Sequence, residues 1–240
     1  MTPEAELQLL KHLYDPDGDV SVPAYLAGIG HGTVGAIFDT LTDAAWTRRE
    51  DDPGNIHLIA PDRNAFVSWR PERPLDDPDP IRMVVVGGAD RRIAWHAGFP
   101  DGVPEELINA FCAALSALPA RVRPPGTPGD PGPAFEILTG AGWTRTGDTG
   151  THTLTAPDNL ATITHTTDPD PDPAPGAAPD GGARWQVTVG NAQFTGSWEV
   201  EFTGPIPDEP ITAFCAAMTT DIVRHPEDLP DHVRRPTRTP

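Results

Sequence analysis

Lysine is nearly missing from this chain: Lys11 is the only one, and the basic residues number 17 against 35 acidic ones, a formal charge of −18. A protein that grips a phosphate backbone needs a clustered basic face. The densest basic run here is the tail trio Arg234, Arg235 and Arg238. Direct nucleic-acid binding is therefore not expected, and an anionic membrane would repel such a chain. Cysteine is also scarce, since Cys112 and Cys215 are too few for a disulfide framework. No apolar run approaches the roughly 18 residues a membrane helix needs. Residues 1–14 carry Glu4 and Glu6 and no basic leader before an apolar block, unlike a secretory signal. These absences predict a cytoplasmic protein without membrane contact.

Proline and glycine, by contrast, are abundant, at 30 and 23 residues, close to the level at which low-complexity chain becomes the default reading. They concentrate at 70–80, 119–133, 167–182 and 225–240, leaving patterned apolar stretches between. Those stretches repeat. Phe38, Leu41, Ala44, Trp46, Thr47 and Arg48 recur as Phe135, Leu138, Ala141, Trp143, Thr144 and Arg145, at a constant offset of 97. Ala60-Pro61-Asp62 recurs as Ala156-Pro157-Asp158 at offset 96. Trp95, Phe99, Ile108 and the run from Ala110 to Ala114 recur as Trp198, Phe202, Ile211 and the run from Ala213 to Ala217 at offset 103. Order, spacing and residue type hold together, which is the signature of a duplicated unit. The boundaries follow: an N-terminal helix and lead-in over 1–19, a first repeat over 20–118, and a Pro/Gly linker over 119–133. A second repeat then fills 134–224 and a disordered tail 225–240.

Each copy reads as helix, four strands, helix (αββββα), an α+β unit with a four-stranded antiparallel sheet. The first helices are expected over 34–45 and 134–141, where Phe38 and Leu41, or Phe135 and Leu138, lie one turn apart. The strands are expected over 55–60, 64–70, 81–87 and 92–99 in copy one. In copy two they are expected over 151–156, 160–166, 184–190 and 194–203, with Trp185, Val187 and Val189 alternating against Gln186 and Thr188. The closing helices are expected over 104–118 and 208–224, each with proline near its start. Ala60-Pro61-Asp62-Arg63 and Ala156-Pro157-Asp158-Asn159 have the chemistry of tight turns between the first two strands.

This order, with a tryptophan closing the first helix and an Ala-Pro-Asp turn, resembles the SPDY-domain family of actinobacteria, a domain of unknown function that often occurs as a tandem pair. Alanine (Ala60, Ala156) stands where the family name has serine, and Arg63 and Asn159 stand where it has tyrosine. The resemblance implies no reaction, cofactor or catalytic residue.

The residues that could carry chemistry are better explained by structure. Asp62 and Asp158 suit hairpin turns. Trp46, Trp143, Trp95 and Trp198 suit core positions. Cys112 and Cys215 lie in apolar helices with no basic residue within a turn, so neither reads as a reactive thiol. The eight histidines (His12, His31, His57, His96, His152, His165, His225, His232) show no metal-binding spacing. Gly28-Ile29-Gly30-His31-Gly32 lacks the lysine of a phosphate loop, and the Asp-Pro runs at 76–80 and 168–173 suit solvated spacers better than calcium loops. No catalytic residue, metal site or cofactor is expected.

One asymmetry remains. In copy two the outer sheet face is polar, with Thr162, Thr164, Gln186, Thr188, Glu199 and Glu201. In copy one the corresponding face is read as Ile59, Phe66, Met83, Val85 and Ala94, opposite a core set of Leu58, Val67, Val84 and Val86. An apolar outer face has to be covered, so Ile59, Phe66, Met83 and Val85 are the expected interface. The leading expectation is a non-enzymatic protein-interaction module. The alternatives are an acidic mimic of nucleic acid that occupies a DNA-binding protein, and an enzyme or small-ligand binder without a recognisable motif.

Overall fold

A computed structural model describes residues 19–28, 34–51, 54–71, 81–88, 93–118, 132–148, 150–167, 184–190 and 197–229. Most of the 1–19 segment, nearly all of the 119–133 linker, the tail beyond 229 and both Asp-Pro runs lie outside the described residues.

The described residues open with β1 (Val20–Pro23) and a 3-10 turn, Ala24–Leu26. The first repeat then runs α1 (Gly35–Asp43), β2 (Thr47–Glu50), β3 (Ile56–Ile59), β4 (Ala65–Trp69), β5 (Ile81–Gly87), β6 (Trp95–Pro100) and α2 (Glu105–Ala117). The second runs α3 (Gly132–Gly140), β7 (Thr144–Asp148), β8 (Thr151–Thr155), β9 (Ala161–Thr166), β10 (Arg184–Val189), β11 (Trp198–Thr203) and α4 (Asp208–Met218). β12 (Asp221–Arg224) and a 3-10 turn, Pro226–Asp228, follow.

The α+β class and the order of the eight expected strands hold, but among the described residues each repeat shows five strands rather than four. The extra ones, β2 and β7, follow the tryptophan that ends the first helix. There the backbone turns through the left-handed region, at Ala45 (φ 63) and Gly142 (φ 88). The amides of Trp46 and Trp143 close the helix by bonding back to Leu41 and Leu138 at 3.0 Å, the 6→1 bond of a Schellman motif. The sequence Thr-Arg-Arg-Glu of β2 is exposed at every position, so it shows no alternation. It forms the sheet edge, where charged residues discourage pairing with other chains. Arg48 and Arg145 each lay a guanidinium over the phenylalanine of their own repeat, Phe38 at 5.4 Å and Phe135 at 5.2 Å.

The second closing helix is also shorter than expected. It ends at Met218, where the hydroxyls of Thr219 and Thr220 bond to the carbonyls of Ala216 and Ala217 at 2.8 Å each. The β-branched stretch behind it becomes β12, paired antiparallel with β1. Within the stretch assigned to the tail, Pro226–Asp228 form a 3-10 turn and Leu229 is buried against Val22 and Ala27.

The two repeats form one sheet. Its strand order is β2-β3-β4-β5-β6-β11-β10-β9-β8-β7, antiparallel throughout. β6 pairs with β11 with Gly98 opposite Glu201, and these are equivalent positions at offset 103, so a pseudo-twofold axis passes between them. Equivalent helices α2 and α4 meet across the same axis, with α1 outside one and α3 outside the other. Beneath them Phe99, Phe111, Phe202 and Phe214, two equivalent pairs, lie edge-on, stacked or tilted with ring centroids 5.3–6.2 Å apart. Each is at most 1% exposed. One core therefore runs through both repeats, and all four paired tryptophans belong to it.

Candidate functional site

Cross-strand partners share a face of a sheet, so the register assigns every strand residue. On the helix side one row runs Arg48, Leu58, Val67, Val85, Ala97, Phe202, Trp185, His165, His152. A second contains Ile56, Trp69, Met83 and Phe99. Met83 and Val85 are thus core residues, 2% and 0% exposed, and not part of an outer face. Val84 and Val86 take their place there. The reason is the composition of β5: Met-Val-Val-Val is apolar at every position, so its own pattern cannot distinguish the two faces, and only its partners decide.

No described element packs on the other face of the sheet. Across the first repeat it carries Ile59, Phe66, Val86 and His96 in one row, and His57, Ser68, Val84 and Gly98 in the next. Ile59 and Phe66 stand where the sequence places them, and with Val84 and Val86 they form the apolar centre, each half-buried by its neighbours. His57 and His96 share this face, in adjacent rows. The His57 ring stacks on Phe66 (centroids 5.3 Å apart, 20° between planes), and its Nε2 meets Asp51 Oδ2 at 3.0 Å. That hydrogen bond lowers the Asp51 carboxyl from its ordinary range. His96 Nδ1 bonds to Thr203 Oγ1 across the junction of the repeats.

The equivalent rows of the second repeat are polar. Ile59, Phe66 and Val86 become Thr155, Thr162 and Thr188, and His57, Ser68, Val84 and Gly98 become Thr153, Thr164, Gln186 and Glu201. Thr153 and Thr164 bond through their hydroxyls at 3.1 Å, Gln186 donates to Glu199 at 2.7 Å, and Arg184 pairs with Glu201 at 2.8 Å. One sheet face thus has an apolar half and a hydrogen-bonded, charged half.

The other singled-out residues have structural places. Both Pro-Asp turns make hairpins, with Arg63 and Asn159 at φ 61. Asp62 Oδ1 accepts from the Asn64 amide at 3.0 Å, and Asp158 Oδ1 from the Leu160 amide at 2.8 Å. Cys112 and Cys215 are free and buried, and burial pushes both thiols up to about 12. Among the described residues no three His, Cys, Asp or Glu side chains converge as metal ligands do, and no helix is long and apolar enough to cross a membrane.

Sequence reasoning missed Tyr25. It is buried between the repeats' helices and the second Pro-Asp turn: its ring meets Trp143 edge-on at 5.8 Å, and its hydroxyl donates to Asp158 Oδ2 at 2.8 Å. Burial and the neighbouring Asp158 carboxylate raise its pKa above the ordinary phenol range. The only signal is the alternation of Val20 and Val22 ahead of it, too short to distinguish a strand from a loop.

A duplicated α+β unit, closed edge to edge into one sheet with helices on one face, is the class of protein this fold defines. The chain belongs to the SPDY family, described as a domain of unknown function (DUF317), whose model matches residues 59–122 and 155–222. The two matches fall in equivalent parts of the repeats, from the Pro-Asp hairpin through the closing helix. No curated protein and no solved structure matches the chain.

Proposed function

We propose that this protein is a non-enzymatic interaction module, and that the apolar half of its open sheet face is the surface that receives a protein partner. The observation behind this reading is the asymmetry between equivalent positions. Duplication supplies both halves with the same backbone, and the second half shows that this backbone is compatible with threonine, glutamine and glutamate on the face. The first half instead places Ile59, Phe66, Val84 and Val86 there, bordered by Arg49, His57, His96 and Glu201. An apolar centre inside a polar rim is the anatomy of a protein contact. Fully burying such a side chain is worth about 1.5–3 kcal/mol, and these four already hide part of their surface, so a partner gains only the remainder from each. The patch is then the anchoring centre of a larger contact.

The test compares Phe66→Asp with Thr162→Asp, the same backbone position in the other half. Both variants should keep the wild-type circular dichroism and unfold cooperatively in urea, with Phe66→Asp losing no more than about 2 kcal/mol, the part of its burial that the sheet already provides. In affinity capture from the native host, quantified by mass spectrometry, Phe66→Asp should lose a protein that the wild type and Thr162→Asp both retain. A folded Phe66→Asp variant that keeps every partner refutes the assignment of this face.

A further inference from the structure

β1 and the turn behind it have no counterpart in the ten-stranded sheet. They precede α1 in sequence; the strand pairs with β12, and the closing helices of both repeats, α2 and α4, pack on the turn. Val20 to Pro23 pair with Arg224 to Asp221, and the amide of Ala24 donates to the Thr220 carbonyl at 2.9 Å. The Tyr25 ring meets Trp143, its hydroxyl donates to Asp158, and its carbonyl accepts from Trp198 Nε1 at 3.2 Å. A backbone ladder on an exposed strand, an aromatic anchor and a polar group at the end of the anchor are the components of peptide recognition by strand addition.

The first repeat has the equivalent residues Trp46, Asp62 and Trp95, but among the described residues no segment is held beside them in the same way, and two differences between the copies set the two places apart. Trp95 lies against Gly87, its cross-strand partner, so closely that a Cβ there would come within 2.2 Å of the indole. The partner of Trp198 is Val189, whose side chain denies the indole that place and leaves its N–H for Tyr25. Likewise Asp62 Oδ2 accepts from its own turn, from Asn64 Nδ2 at 3.3 Å. Copy two has Leu160 at that position, and the second oxygen of Asp158 is left for the tyrosine hydroxyl.

We propose that the second repeat carries a peptide-binding cleft, built from β12, Trp143, Trp198 and Asp158, for a short extended strand followed by a turn that carries tyrosine; residues 20–27 fill it in cis, and those of a second copy can take their place. Exchange is favoured by how the segment is held. β1 and β12 form an isolated two-stranded ladder, and such ladders are marginal on their own. Val22, Ala27 and Leu229 form a small cluster apart from the main core, which Ala24, Tyr25 and Leu26 join, so the strand can open below the free energy of global unfolding while the turn behind it is the tighter hold. A second copy offers the same contacts, which leaves association entropy as the main cost of the swap.

Ser21 and Val223 are cross-strand partners and both exposed, so cysteines at these positions report docking without disturbing the core. The full chain carrying Val223→Cys is incubated in a glutathione buffer with a synthetic peptide of residues 19–28 carrying Ser21→Cys. A scrambled peptide and a Tyr25→Phe version serve as comparisons. The proposal expects a mixed disulfide with the tyrosine peptide, about tenfold less with the phenylalanine peptide, as loss of a hydrogen bond to a carboxylate implies, and background with the scrambled one. Replacing the peptide by a full chain carrying Ser21→Cys should give a heterodimer linked at these two positions. Equal labelling by the tyrosine and phenylalanine peptides, or labelling no better than scrambled, overturns the cleft. Peptide labelling without the heterodimer overturns exchange between copies. A chain carrying both cysteines must close its own disulfide, and failure there removes the β1–β12 register on which the proposal stands.

Discussion

Adjacent residues of β5 give the sharpest test of the sheet's two faces. Val85 is fully buried, with Val67 and Ala97 as its cross-strand partners beneath the helices. Val84 points the other way, between Ser68 and Gly98. Threonine is nearly isosteric with valine, so Val→Thr introduces a hydroxyl with almost no change of volume. At Val85 that hydroxyl enters an apolar layer in a strand whose backbone is paired on both sides, which leaves no free carbonyl within easy reach. Burying it without a full partner costs about 1–3 kcal/mol. At Val84 it lies on the half-buried outer face beside the Ser68 hydroxyl, a candidate hydrogen-bond partner, so the cost should be clearly smaller than at Val85. For a chain of this length 2 kcal/mol corresponds to a fall in Tm of about 4–8 °C. Urea unfolding followed by tryptophan fluorescence measures both variants, and the slope with denaturant should stay constant so that midpoints compare directly. Equal losses at the two positions, or the larger loss at Val84, would refute the assignment of faces and with it the open apolar patch.

Two further outcomes follow from the shared core. With both thiols buried and pushed up to about 12, native protein should not react with an aromatic disulfide reagent at about pH 8, while urea-unfolded protein should titrate both. The same shift has a linkage sign: the native thiols stay protonated where unfolded ones ionise, so their contribution is complete below pH 9 and is lost as pH rises toward 12. Prompt labelling of the native protein would contradict the burial. Finally, a protease site inserted between residues 119 and 131 and then cut should leave both halves eluting together near 25.6 kDa, because the β6–β11 ladder and the α2–α4 contact hold them. Halves that separate without denaturant would contradict the continuous sheet.

The sequence by itself determined the duplication, the α+β class, the order of eight strands and the core places of Trp46, Trp95, Trp143 and Trp198. Those features are local: they rest on residue type and on spacings within one repeat, and a repeated motif states them twice. What tertiary structure decided is non-local in each case. β2 and β7 are edge strands whose exposed polar sequences carry no alternation, so only their hydrogen bonds to β3 and β8 reveal them. The phase of β5 is hidden by an unbroken apolar run and is set by Val67 and Ala97 on either side. That moves Met83 and Val85 into the core and brings Val84 and Val86 to the open face beside Ile59 and Phe66. The closure of two repeats into one sheet depends on Gly98 meeting Glu201, more than a hundred residues apart, and nothing in either strand's pattern names the other as its partner. Tyr25 finds Asp158 for the same reason: the contact exists only once the fold has brought the start of the chain beside the second repeat.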